Sequence, residues 1–461
     1  MYDLVIKDGT LVTGDSVINA DIAIQGDVIA EIAPHLEGRE QISASGMLVI
    51  PGGVDPHVHL EMPVGETSTS ESWETGSKAA AFGGTTTVID FVETRYPNQP
   101  LMEAFQERLN QALGQSAIDF NFHMTLSTAD KATLQQLNDV VSAGMSSFKM
   151  YTTYTGFRLT DEELLTAFEA IRDARGLAIV HAESDAIIQD AVHNLQNSGR
   201  LKVQDFPLSR PAISEQEAVE RVLSLASYSK TPVYIVHVST RAGANAIARA
   251  RQNGQAAWGE TCPQYLLLDE TRIKTDDFSG AKFVCCPPLR TMQDQEALWS
   301  ALQAGSLQCV GTDHCAFNYD GQKDMGKDSF LNIPSGLPGI ELRMALLYTY
   351  GVKQGKLSLQ QWVEMCCKSP ARLFGFYPRK GELAAGSDAD IVIFDPNNST
   401  RISQTLINEN VDYTPYENMN LAGMVRSTLL RGKFLVRDGE WFGGHITGSF
   451  VQGDRFFSGN A

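Results

Sequence analysis

At 461 residues the chain exceeds the size at which one hydrophobic core stops growing, so a large domain with a smaller companion is expected. A hydrophobic content of 43% with 20% charged residues is ordinary for a globular protein, and 55 acids against 37 bases, a net charge of −18, oppose non-specific binding to nucleic acid or an anionic membrane. Seven cysteines without CxxC spacing argue against a disulfide framework or a zinc ribbon, and no apolar run approaches the ~20 residues that span a bilayer, so a cytoplasmic location is expected.

Residues 1–50 read as short strands at 4–7, 17–24 and 28–32, separated by the turn signals Asp8-Gly9, Gly14-Asp15 and Gly26-Asp27. Such a segment buries too little surface to stand alone. The similar strand-rich stretch at 390–394 and 427–437 is its natural partner, giving a small β-sandwich built from 1–50 and 376–440 with the central chain inserted between them. The apolar run 47–50 leads into His57 and His59, and a strand would point both imidazoles to one face. From 51 to 375 the pattern becomes strand, loop, helix, repeated. Apolar runs at 87–91, 120–124, 148–151, 177–180, 233–238, 256–259 and 307–310 join the His57 strand to make eight, the number and length of a (β/α)₈ barrel. Thr160 with Glu163 and Ser214 with Glu217 read as capping boxes, and Gly176 and Gly254 sit where helices should end. A doubly wound open sheet is the alternative, but no GxGxxG follows a strand. Residues 441–461, rich in glycine, form a tail.

Polar residues fall where the barrel strands end: His57 and His59 on the first, Lys149 in the fourth, His181 on the fifth, His237 on the sixth and Asp313 on the eighth. Singly, each would be a satisfied core residue; six together at the catalytic end of a barrel are hard to explain as packing. Lys149 lies between apolar Phe148 and Met150. A bare ammonium beside two dications would be repelled, whereas a neutral amine can add carbon dioxide to form an anionic carbamate able to bridge two metals.

At this point the chain resembles the cyclic amidohydrolases, and within them the dihydropyrimidinase and hydantoinase family, through Pro51-Gly-Gly-Val-Asp-Pro-His-Val-His-Leu-Glu-Met-Pro, Gly83-Gly-Thr-Thr-Thr, Ser147-Phe-Lys-Met-Tyr, His181-Ala-Glu, His237-Val-Ser, Glu260-Thr-Cys-Pro-Gln-Tyr and Gly311-Thr-Asp-His-Cys. The likeness implies two zinc ions, one on His57, His59 and Asp313, the other on His181 and His237, bridged by N6-carboxylated Lys149 and a hydroxide. It further implies that Asp313 carries the proton to the leaving ring nitrogen, that Tyr154 stabilises the oxyanion and that the product is an N-carbamoyl amino acid. A homotetramer is implied only by the family's habit of laying such a tail across a neighbouring subunit.

Substrate choice is less constrained. Related dihydroorotases carry an arginine two residues after the second histidine; here Glu61 stands there, which disfavours an anionic substrate. Cys286 and Ser335 replace the family's usual serine and asparagine beside the substrate ring, and Tyr151 and Phe157 are candidates for lining the substituent pocket. The rivals are an allantoinase-like or other cyclic ureide hydrolase, and a non-catalytic scaffold of the same fold, which intact ligand positions disfavour. His123 and His314 are expected to be structural, His35, His193 and His445 to lie at the surface, and Met365, Cys366 and Cys367 to pack a helix.

Overall fold

A computed structural model describes residues 1–456. Eight parallel strands run in sequence order around a barrel: Gly53–Asp55, Thr85–Val92, Asp119–Thr125, Ser147–Tyr151, Leu177–His181, Val233–Ile235, Ala257–Thr261 and Cys309–Val310. Every residue of these strands is buried, as a parallel sheet covered on both faces requires. Helices such as Trp73–Phe82, Asp161–Asp173 and Arg241–Gln252 pack outside, and Thr160 with Glu163 does form a capping box at the start of the second of these. Gly254, at φ +78°, ends the third as expected. The left-handed residue after Asp161–Asp173 is Arg175 instead of Gly176, whose missing Cβ makes room for the Phe148 ring.

Among the described residues the first and eighth strands are joined by a single backbone bridge, between Val58 and His314 just beyond their ends. Side chains close the seam. The buried Arg343 guanidinium donates to Val54 O at 3.0 Å and Val310 O at 2.9 Å. Just above it, Asp55 accepts from the backbone N–H and hydroxyl of Thr312 at 3.0 and 2.7 Å and from the His57 N–H at 3.2 Å. The segments carrying His57 and Asp313 are thereby tied together.

The second domain is the expected sandwich, a nine-stranded mixed sheet made from both ends of the chain. Its centre is Leu48–Pro51, which pairs parallel with Tyr2–Val12 and antiparallel with Ile391–Asp395. The apolar run 47–50 therefore belongs to the sandwich, and the first barrel strand starts only at Gly53, after Gly52 has let the chain change sheets against Thr86. Asp8-Gly9 likewise is no turn: Tyr2–Val12 is one strand with a bulge between Ile6 and Gly9, and Asp8 takes φ +59° there. Ser214 does not cap a helix either. Helix Ala212–Ser229 begins after Pro211, and Ser214 donates back to the Pro211 carbonyl at 2.8 Å while Glu217 pairs with Arg221.

Residues 441–456 pass under their own barrel. Val451 and Phe456 join Val54, Ile89, Ile179 and Trp258 in the cluster that fills the barrel and its floor. Gly448 makes the crossing possible, because a Cβ there would stand 1.6 Å from the Ile118 carbonyl oxygen. The last five residues of the tail, 457–461, lie outside those described.

Candidate active site

At the C-terminal ends of the strands the barrel opens into a cavity of about 1240 Å³. Its wall contains all six candidate ligands, His57, His59, Lys149, His181, His237 and Asp313, together with Tyr151, Tyr154, Phe157, Cys286 and Ser335. His57 Nε2 and His59 Nε2 converge on Asp313 Oδ1 at 3.2 and 3.3 Å. The His181 and His237 rings lie 4.5 Å apart, and His57 stands 5.4 Å from His237. Burial lowers the pKa of His57, His181 and His237, so their rings are neutral and offer lone pairs. Among the described residues His237 Nδ1 is buried with no hydrogen-bond partner. Neutral imidazoles, a carboxylate and an orphaned ring nitrogen form a donor set suited to divalent cations.

Lys149 is 1% exposed, and among the described residues no carboxylate lies within ion-pair distance of its nitrogen. The Phe91 and Tyr151 rings lie 5.0 Å from it. Burial lowers its pKa to about 8, against the pull of Asp313, Glu260 and Glu93. A pKa near 8 leaves about a tenth of the amine neutral at pH 7, far more than an ordinary lysine offers, and the neutral amine is the prerequisite for carbamate formation.

The outer partners were not assigned roles from sequence. His57 Nδ1 pairs with Glu260 Oε1 at 2.5 Å, and Glu260 also accepts from Tyr234 and the His237 N–H. Burial pushes the Glu260 carboxyl up to about 7. His181 Nε2 meets Glu183 Oε2 at 2.8 Å, leaving Nδ1 as its free donor atom. Burial alone would raise Glu183, but the paired Arg210 guanidinium and His181 outweigh it and hold it at about 2. Such partners fix ring orientation and tautomer. Both acids stand in the quoted motifs, Glu260-Thr-Cys-Pro and His181-Ala-Glu, but their partners do not follow from spacing.

Tyr154, His237 and Asp313 have positive φ of 76°, 37° and 50°. Strained non-glycine backbone gathers where side chains must be aimed. Burial keeps the Tyr154 phenol protonated, and Arg210 stacks over its ring at 4.9 Å. Tyr151 and Phe157 meet edge to face at 5.4 Å on the same flank. Cys286 and Ser335 face the cavity from two further loops, which Lys323 joins: its buried nitrogen donates to Val284 O and Pro334 O, each at 3.0 Å.

His123 bonds Ser147 and the Pro56 carbonyl, and His314 accepts from the Gly339 and Ile340 N–H groups, so both are structural. His35, His193 and His445 are exposed, and Met365, Cys366 and Cys367 are buried in a helical turn. Glu61 corrects an expectation: it is exposed, at φ +48°, and is absent from the cavity wall, so it cannot repel an anionic substrate there.

The model of the Amidohydrolase family matches residues 48–435. D-hydantoinase of Geobacillus stearothermophilus is 41% identical over 451 residues, covering 97% of this chain and 96% of its own length. D-hydantoinase of Streptomyces coelicolor is 40% identical over 455 residues, covering 97% of each. The crystal structure of dihydropyrimidinase from Brevibacillus agri superposes with a TM-score of 0.97 at 41% identity, covering 98% of this chain and 99% of that one.

Proposed function

Because the chain belongs to the amidohydrolase family, in its hydantoinase and dihydropyrimidinase branch, and is a cyclic amidohydrolase, we propose that it opens hydantoins or dihydropyrimidines to N-carbamoyl amino acids with two zinc ions. The observation that carries this reading is the convergence of six ligand-type side chains in one cavity, among them a buried lysine with no carboxylate partner among the described residues. His57, His59 and Asp313 would hold one ion, His181 and His237 the other, with carboxylated Lys149 shared between them. Bound there, the ions would supply hydroxide near neutral pH by lowering the pKa of water.

The remaining roles belong to the chain. Asp313, its carboxylate aligned by His57 and His59, accepts the proton of the attacking water and delivers it to the leaving ring nitrogen. Tyr154, held protonated, donates to the oxygen on which negative charge develops. Glu260 and Glu183 keep the His57 and His181 rings in one orientation as charge changes beside them. Backbone groups beside Cys286 and Ser335 hold the ring amide, and Tyr151 and Phe157 receive the exocyclic group.

The test is to measure zinc content and the rate of ring opening on one preparation, with dihydrouracil and phenylhydantoin as substrates. Two zinc ions per chain and turnover of at least one ring are expected; a zinc-free preparation of full activity would overturn the reading. No described helix is long and apolar enough to cross a membrane. All seven cysteines are free thiols, which supports a reducing cytoplasm. The homotetramer rests on the family resemblance, and light scattering tests it directly.

A further inference from the structure

Among the described residues, the carboxylates on the cavity wall are Asp313, Glu66 and Glu93. Asp313 belongs to the ligand set and Glu66 is exposed on a loop tip. Glu93 is different. It follows directly on the second barrel strand, Thr85–Val92, and is half-buried on the side that faces His59 and Lys149.

The arginines near it are engaged elsewhere, and Lys149 stands beyond ion-pair distance. Arg108 donates to Asp90 at 2.6 Å and to the Leu60 and Glu61 carbonyls, Arg95 pairs with Glu107 at 3.4 Å, and Arg210, across the cavity, is paired with Glu183. Among the described residues Glu93 has no ion pair of its own. Half-buried in the cavity wall, its carboxylate would hold an entering cation more firmly than one at an open surface.

We propose that Glu93 is a specificity-determining residue and that it selects cyclic ureides whose exocyclic group ends in a positive charge. Tyr151 and Phe157 supply an aromatic flank for the apolar stem of such a group, and Glu93 takes its ammonium or guanidinium head. The inference rests on the reaction proposed above and adds the substrate class.

The test compares kcat/KM of the metal-loaded enzyme for hydantoins bearing an aminobutyl, a pentyl or a carboxypropyl group, with unsubstituted hydantoin as reference. The aminobutyl ring should exceed the pentyl ring on the order of tenfold at low salt, with the carboxypropyl ring last. The advantage should shrink as ionic strength rises. In Glu93→Gln the ratio of aminobutyl to pentyl should fall to about one; because the ratio is taken within each protein, a general loss of activity cancels. Equal rates for the charged and neutral rings, or a ratio unchanged in Glu93→Gln, would overturn the proposal and leave Glu93 as a partner of His59. If the variant does not fold, the order of the three rings and its salt dependence in the unaltered enzyme decide. Hydrolysis without charge discrimination sinks this inference alone, whereas hydrolysis of none of the rings sinks the parent reaction and this inference with it.

Discussion

Two buried groups of charged side chains lie at opposite ends of the barrel. At the lower end Lys380 stands among Asp119, Asp388 and Asp390 at 2.5, 2.8 and 2.7 Å, with Arg431 on the other oxygen of Asp119. At the upper end sit four histidines, Asp313 and Lys149. Three aspartates close enough to share a cation would pass for a metal site on spacing alone, as would His57, His59 and Asp313. The lower group already holds its cation, the Lys380 ammonium, and joins barrel, sandwich and tail. Among the described residues the upper group leaves His237 Nδ1 without a partner and Lys149 without a carboxylate at hand. A buried cluster whose charges are mutually satisfied is architecture; one whose donor atoms are left free is chemistry waiting for a ligand.

The contrast can be broken from either side. Lys149→Ala should lower kcat by at least about 10³-fold and reduce bound zinc, with little change in the melting temperature of the metal-free protein; full hydrolysis at ambient metal would refute the bridging role. Lys380→Met should do the reverse. Leaving buried Asp390 without its cation and Asp119 with Arg431 alone costs about 3–5 kcal/mol in denaturant titration, while kcat/KM of the folded fraction stays within about twofold. Tyr154→Phe should reduce kcat by about 10²-fold with zinc content intact. The smallest effect is expected at Lys323→Met, where the two ring-facing loops lose their shared tie: KM should rise about three- to tenfold with kcat nearly unchanged, and Lys323→Arg should restore part of it.

Much of this was legible in the chain. Seven of the eight barrel strands could be read from apolar runs, and the six ligand-type residues from the His, Lys and Asp within or just after such runs, because fully buried parallel strands leave continuous hydrophobic signatures. What failed did so for local reasons. The strands Leu48–Pro51 and Gly53–Asp55 are both fully buried, and only Gly52 separates them, so periodicity could not tell which sheet each joined. Pro211 set the start of its helix ahead of Ser214, whose sequence offered an equally good cap. Glu260, Glu183, Arg343 and Lys323 act through partners fixed by the fold; His57 and Glu260 are 203 residues apart, and no spacing rule reaches that far. Glu61 stands where dihydroorotases carry an arginine, but its positive φ turns it to solvent, which the matching position alone does not reveal.

The seam between the first and eighth strands has a kinetic consequence. Arg343 reaches back 289 residues to Val54, and Asp55 reaches forward 257 to Thr312, so the segments carrying His57 and Asp313 meet only when nearly the whole barrel has been threaded. Contacts of such long sequence separation form late in folding. On refolding, therefore, recovery of activity should lag recovery of helical signal, and a chain still emerging from the ribosome with its eighth strand unmade cannot yet bring Asp313 to His57 and His59.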